Sequence, residues 1–135
     1  VDSVPTNTYQ FIKKSLPQIK IVQVIHVQNL SAVEQAMAID EYVDAILLDS
    51  GDPYAEVRKL GGTGKTHNWE ISKQLVEEVN SPVFLAGGLT PDNVVDAVSN
   101  VQPYGVDICS GVRIEGKLDK DKLTKFINNV KSVIL

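Results

Sequence analysis

The chain has 135 residues, of which 43% are hydrophobic and 22% charged, a composition typical of one globular domain with its own core. The net charge of −4 argues against a large nucleic-acid interface, which needs clustered lysines and arginines, although backbone N–H groups can still hold a small anion. A single cysteine excludes an internal disulfide and favours the cytoplasm, and no apolar run approaches the roughly 20 residues that span a bilayer.

Helical and strand patterns alternate along the whole chain. Ser31 followed by Glu34 is the pattern of a capping box, and Pro91 after Thr90 is typical of a first helical turn behind its N-cap. In chain order the patterns predict a helix over 5–16, a strand over 19–27, a helix over 31–40, a strand over 43–48, a helix over 68–79, a strand over 82–86, a helix over 91–101, a strand over 105–109 and a helix over 120–133.

Strands that alternate with helices in this way predict an α/β fold with a parallel four-stranded sheet and right-handed crossovers. The order alone leaves open a small layered sheet or half of an eight-stranded barrel. In both, ligands gather at the carboxyl ends of the strands. We expect residues 1–135 to form one domain, and the start at Val1, directly before a helical pattern, suggests a fragment or a processed product.

Three glycine-bearing turns lie at 61–66, 86–91 and 109–112. Glycine lets the backbone approach a ligand closely, and a helix that begins after such a turn adds the positive end of its dipole. Any one of these turns could simply connect two elements. Three of them at one edge of the sheet favour a shared phosphate pocket.

The segment Gly-Thr-Gly-Lys-Thr at 62–66 is not a nucleotide-binding P-loop. Lys59 stands where the first glycine of that pattern belongs, and the preceding predicted strand already ends at residue 48. The segment lies in a linker over 49–66, which is long for a compact domain and therefore expected to be functional or disordered. Lys65 either neutralises a phosphate or is simply solvated.

Several polar side chains are candidates for chemistry. Asp49 ends a buried strand, where it is either a turn residue or a general acid or base, and Asp107, inside a predicted strand, either contacts a ligand or forms an ion pair. Cys109 is expected to be a small buried side chain rather than a nucleophile. His26 and His67 are too few and too scattered to indicate a metal site, and we expect His26 to pack within its strand.

Five segments together resemble phosphoribosylanthranilate isomerase. They are Leu-Leu-Asp-Ser at 47–50, Gly-Gly-Thr-Gly-Lys-Thr-His-Asn-Trp at 61–69, Phe-Leu-Ala-Gly-Gly-Leu-Thr-Pro-Asp-Asn-Val at 84–94, Pro-Tyr-Gly-Val-Asp at 103–107 and Ser-Gly-Val at 110–112. The likeness covers nearly the whole chain, in order and spacing. It implies a (βα)₈ TIM barrel of tryptophan biosynthesis that converts an aminoaldose phosphate to an aminoketose phosphate by an Amadori rearrangement, without a cofactor.

The resemblance also assigns roles within the chain. It implies that the four strands are the fifth to eighth of the barrel, so that the chain is its C-terminal half. Asp49 falls on the general acid that protonates the ribose ring oxygen, and Asp107 falls on a residue near the ribose and the anthranilate. The loops that hold the substrate phosphate fall on Gly87, Gly88, Ser110 and Gly111, and the loop that covers the site falls on Gly62, Thr63 and Gly64.

The chain departs from the family pattern at important positions. The family's general base is a cysteine on the first strand, which this chain lacks, and Cys109 is not its equivalent. Asn68 replaces a usual aspartate, and Arg113 stands where glutamate is common. The resemblance therefore leaves open a divergent barrel that acts on another sugar phosphate, or a non-catalytic half-barrel that binds phosphate.

The lack of a first-strand base has a further consequence. Alone, the chain is expected to keep its phosphate site and lose most isomerase activity. Because a half-barrel leaves strand edges unpaired, we expect it to associate with a second copy or with a missing N-terminal half.

Overall fold

The computed structural model describes residues 4–49 and 65–134, and within them the predicted alternation of helices and strands is present. The helices are α1 (Thr6–Ser15), α2 (Ser31–Ile39), α3 (Lys65–Glu78), α4 (Val94–Val101) and α5 (Lys120–Ile134). The strands are β1 (Val22–His26), β2 (Ala45–Asp49), β3 (Val83–Ala86), β4 (Gly105–Val106), β5 (Arg113–Ile114) and β6 (Lys117–Leu118). Short 3₁₀ turns lie at Asp40–Tyr42 and Ser110–Val112.

The four strands β1 to β4 form one parallel sheet in chain order, which confirms the predicted α/β architecture. Consecutive helices pack on one another, α2 on α3, α3 on α4 and α4 on α5. Parallel strands joined by helices place every carboxyl end at the same edge of the sheet. We call this edge the rim.

The two faces of the sheet are buried to different extents. Ile25, Leu48 and Leu85 share one row of the sheet, and all three are buried in the core cluster that includes apolar side chains of the helices. Val24, Leu47 and Phe84 form a row on the opposite face and are only half-buried. One face of the sheet is therefore covered by the core, and the other face, which carries Val24, Leu47 and Phe84, is partly open to solvent.

Helix α2 begins at Ser31 as predicted, but the capping box expected there is absent, and Asn29 Oδ1 accepts the N–H of Ser31 at 2.8 Å. The helix expected from Pro91 begins only at Val94, because residues 91–93 form a turn. At α3 the helix begins earlier than predicted, at Lys65, which shortens the linker.

The predicted strand over 105–109 was too long, and a hairpin after it was missed. Strand β4 ends at Val106, so Asp107 lies beyond the strand and is exposed. Strands β5 and β6 pair in antiparallel fashion around a turn at Glu115 and Gly116, whose φ angles are +48° and +77°. Within 4–49 and 65–134, none of the helices has the length and apolar character needed to cross a membrane.

Asp40 links two segments of the chain at the ends of the strands opposite the rim. Its carboxylate accepts the N–H of Asn80 at 2.9 Å, the side-chain amide of Asn80 at 3.1 Å and the N–H of Ser81 at 2.9 Å. Partial burial raises the pKa of this carboxyl, but the hydrogen bonds from Asn80 and Ser81 outweigh that effect and hold the pKa below its ordinary value.

We predict that Asp40→Asn lowers the free energy of unfolding at neutral pH by about 1 kcal/mol, a small value because the carboxylate is largely solvent-screened. Since its folded pKa lies below the unfolded value, the contribution is present above that unfolded value and is lost as the pH falls through the folded pKa. Urea unfolding at pH 7 and near pH 2.5 measures the difference between the two proteins, which should shrink at the lower pH. An equal difference at both pH values would contradict the role given to the ionised carboxylate.

Candidate functional site

The rim brings three strand ends into one row. His26, Asp49 and Ala86 are the last residues of β1, β2 and β3, and the sheet register pairs His26 with Asp49 and Asp49 with Ala86. The N–H of Val27 donates to the Asp49 carbonyl at 3.0 Å, which continues the ladder past the end of β1. Because paired residues of neighbouring strands point to the same face, the three side chains stand side by side on the partly open face.

A cavity of about 220 Å³ opens at this rim. We call it the rim pocket; its lining is Leu47, Asp49, Ala86, Gly87, Gly88, Leu89, Asp107, Ile108, Cys109 and Ser110. It thus brings together an acid from the end of β2 and two of the three glycine turns singled out in the sequence. The third turn, with Gly62, Thr63 and Gly64, lies outside the described residues.

The first of these turns, after β3, is held by one asparagine. Gly87 and Gly88 have φ angles of +83° and +64°, in the left-handed region that favours glycine. Asn93 Oδ1 accepts the N–H of Thr90 at 2.8 Å, while its side-chain amide donates to the Gly88 carbonyl at 3.1 Å. The Asn93 side chain therefore fixes the turn and does not cap α4.

The second turn, after β4, packs directly on the first. A Cβ added to Gly111 would overlap the carbonyl oxygen of Leu89, so only glycine fits at this contact. Ser110 begins the 3₁₀ turn Ser110–Val112, and Val112 is buried beneath it. The two glycine turns consequently form one joined wall of the rim pocket.

Two expectations about the fourth strand are corrected here. Asp107 was expected inside a buried strand, but it follows the end of β4, and its N–H donates to the Leu85 carbonyl at 2.9 Å while its side chain is exposed. Cys109 was expected to be buried and is exposed. Both errors share one cause: the regular strand ends at Val106, so the alternation of buried and exposed side chains stops there.

His26 is the feature of the rim that the sequence analysis missed. Its Nδ1 lies 3.7 Å from Oδ2 of Asp49, beyond hydrogen-bond distance but close enough for a charge interaction. This nitrogen is buried and has no hydrogen-bond partner, although 35% of the side-chain surface is exposed. Only the parallel register reveals the pair, because 23 positions of sequence separate the two residues.

The described residues contain no cluster of three or more His, Cys, Asp or Glu side chains that could hold a metal ion. The rim pocket is lined by the carboxyl group of Asp49, with the imidazole of His26 beside it, and by two backbone turns. Such turns suit an anion, and a carboxyl group at a pocket wall can give or take a proton.

Over nearly its whole length the chain is similar in sequence to phosphoribosylanthranilate isomerases. A family model described as N-(5'phosphoribosyl)anthranilate (PRA) isomerase matches residues 2–129. An N-(5'-phosphoribosyl)anthranilate isomerase from Nostoc punctiforme is 42% identical over 132 residues, which cover 97% of this chain and 60% of that relative. The chain spans only about half to three-fifths of the length of this and other curated relatives that it matches.

Two solved structures are similar to this chain in fold. Phosphoribosyl anthranilate isomerase from Thermotoga maritima is 33% identical, with a TM-score of 0.72 over 91% of this chain and 57% of that chain. A phosphoribosyl anthranilate isomerase in complex with reduced 1-(o-carboxyphenylamino)-1-deoxyribulose 5-phosphate is 28% identical, with a TM-score of 0.71 over 96% of this chain and 56% of that chain.

We predict that Gly111→Ala lowers the free energy of unfolding by about 2 kcal/mol or more, because the new methyl group must displace backbone at Leu89. Gly116→Ala is the matched control. A Cβ there meets nothing within 4 Å, so only its φ of +77° opposes the change, at a cost of about 1 kcal/mol. Chemical unfolding of the two variants measures the difference, and equal losses would contradict the close contact between the two turns.

Proposed function

This chain belongs to the N-(5'-phosphoribosyl)anthranilate isomerase family, and from that premise we propose that residues 1–135 form one partial TIM-barrel domain, the C-terminal half of an isomerase. In this proposal β1 to β4 are the fifth to eighth strands of the barrel, and the assembled enzyme works in the cytoplasm on a small sugar phosphate. The observation that carries the proposal is the rim pocket, where the acid Asp49 faces two joined glycine turns.

The unequal burial of the two sheet faces supports a half-barrel. The row of Val24, Leu47 and Phe84 is only half-buried, whereas the inner wall of a small barrel is filled with side chains. Among the described residues, β1 pairs only with β2 and β4 only with β3, so both edges of the sheet are available for pairing. A complementary N-terminal half would cover that face and close both edges, and a second copy of this chain is the alternative partner.

The proposed reaction is an Amadori rearrangement, in which Asp49 is the general acid. Its carboxyl O–H bond breaks as the proton passes to the furanose ring oxygen and the bond from that oxygen to C1 of the ribose breaks. The nitrogen lone pair forms a C=N bond to the same carbon. A base then removes the proton from C2, which gives an enamine that rearranges to the aminoketose. No electrons are exchanged with a second molecule, so the proposed step needs no redox cofactor.

The proposal divides the remaining roles between this chain and its partner. The two glycine turns, through Gly87, Gly88, Ser110 and Gly111, hold the substrate phosphate by their backbone, and Asp107 lies near the ribose. The segment Gly62, Thr63 and Gly64 covers the site. The base that removes the C2 proton comes from the first strand of the partner half.

A barrel with a different sugar phosphate is the rival proposal, motivated by Asn68 and Arg113. One contact speaks against Arg113 as a new specificity residue. Its Nη1 donates to the carbonyl of Gly116 at 2.9 Å, within the exposed hairpin, and Arg113 is not among the residues that line the rim pocket. The isomerase proposal is therefore favoured.

We predict that Asp49→Asn lowers kcat of the assembled enzyme about 10²- to 10⁴-fold, because an amide cannot supply the proton. The assay uses this chain produced together with the part of the Nostoc punctiforme isomerase that it does not cover, and follows the turnover of phosphoribosylanthranilate. Asp96→Asn, on the exposed surface of α4, is the matched control and should leave kcat unchanged. An Asp49→Asn enzyme as active as the wild type would refute the assignment of the acid.

We predict that the chain alone binds inorganic phosphate without turning over phosphoribosylanthranilate. Phosphate at ten times its dissociation constant should stabilise the folded chain by about 1.4 kcal/mol, measured as a rise in Tm. Ser110→Asp places a like charge at the turn and should abolish that rise. Turnover by the chain alone would refute the assignment of the base to a partner, and phosphate binding without turnover even in the assembly would favour a non-catalytic module.

A further inference from the structure

Among the described residues, the buried nitrogen of His26 is the side-chain atom that has no hydrogen-bond partner. A buried donor or acceptor without a partner destabilises the folded state. Although 35% of the His26 side-chain surface is exposed, Nδ1 itself is buried and faces Asp49. The fold thus holds the unpaired nitrogen against the carboxyl group proposed to act as the acid.

The geometry of the pair is set by the backbone of two neighbouring strands. His26 and Asp49 are register partners at the ends of β1 and β2, where strands lie roughly 4.8 Å apart. Their side-chain separation of 3.7 Å needs to shrink by less than about 1 Å to become a hydrogen bond. Asp49 lines the rim pocket and His26 does not.

We propose that His26 is a positioning residue for Asp49 and that its Nδ1–H donates a hydrogen bond to the carboxylate that forms as Asp49 gives up its proton. The inference rests on the proposed role of Asp49 as the acid. In the step, the Asp49 O–H bond breaks, the new O–H bond forms on the sugar ring oxygen, and the negative charge left on Asp49 attracts Nδ1–H. His26 keeps its proton throughout and serves as a donor.

This arrangement favours the transition state over the resting state. Nδ1 of His26 has no hydrogen-bond partner in the structure, and in the proposal it stays unpaired while Asp49 keeps its proton. As the carboxylate forms, the donor gains a partner with a negative charge, and hydrogen bonds to ionised groups are about twice as strong as neutral ones. An interaction that strengthens only as the proton leaves lowers the barrier.

Asp49 is the nearest acidic side chain to Nδ1 among the described residues. Asp107 and Cys109 line the rim pocket together with Asp49, and neither is the group nearest to Nδ1. The helix α2, which packs on β1, carries Glu34 as its sole titratable side chain, and that side chain is exposed. Among the described residues, Asp49 is therefore the acceptor that Nδ1–H can reach.

Two substitutions at His26 test the proposal. The side-chain amide nitrogen of asparagine falls near the position of Nδ1, whereas that of glutamine falls near the position of Nε2. In the assembled enzyme we expect His26→Gln to lower kcat about tenfold with KM unchanged, because one donor to a developing charge is lost. His26→Asn should keep most of the wild-type kcat. Equal losses from both variants would overturn the proposal.

A double variant separates this inference from the proposed function. If His26 acts through Asp49, then His26→Gln should have no further effect on kcat in the Asp49→Asn background. A tenfold loss in both backgrounds would show that His26 acts independently and would overturn the inference. If the wild-type assembly shows no turnover at all, or if Asp49→Asn alone has no effect, it is the proposed function that has failed.

Discussion

The site depends on one constraint, the register of three parallel strands that end at the same level. Because His26, Asp49 and Ala86 occupy one row, the imidazole, the acid and the first glycine turn meet at the rim. A slip of one residue would turn Asp49 to the opposite face, into the apolar row that holds Leu48. The buried side chains of that row therefore fix the position of Asp49, although they are apolar and have no reactive group.

The wall of the rim pocket is built by a different kind of contact. Glycine at positions 87, 88 and 111 lets two loops take shapes and approach distances that a side chain would prevent. Asn93 holds the first loop with two hydrogen bonds. Gly111 has no side chain, so the second loop packs closely on the backbone of Leu89. Turns held in this way would need little further ordering to bind the phosphate of the proposed function.

The order of elements and the shared rim could be predicted from the sequence, because both follow from local apolar patterns and from the chemistry of parallel sheets. The helix start at Val94 could not, since it depends on the turn over 91–93 and on which backbone group the Asn93 side chain bonds. The hairpin after Val112 was missed because two-residue strands carry no periodicity, and Glu115 is a poor indicator of a left-handed turn. The closeness of His26 to Asp49 is a tertiary fact that no local pattern encodes.

The partly open face of the sheet has a consequence for how an enzyme built from this chain would acquire its activity. Leu47 and Asp49 lie on the same side of β2, so the partly open face of the sheet also carries Asp49. In the proposed function, capture of the phosphate would depend on loops that this chain builds by itself, whereas the exclusion of water from the acid would depend on the segment that covers that face. Phosphate binding would therefore require only this segment, whereas catalysis would require both segments. Turnover would then occur only after the two segments have assembled.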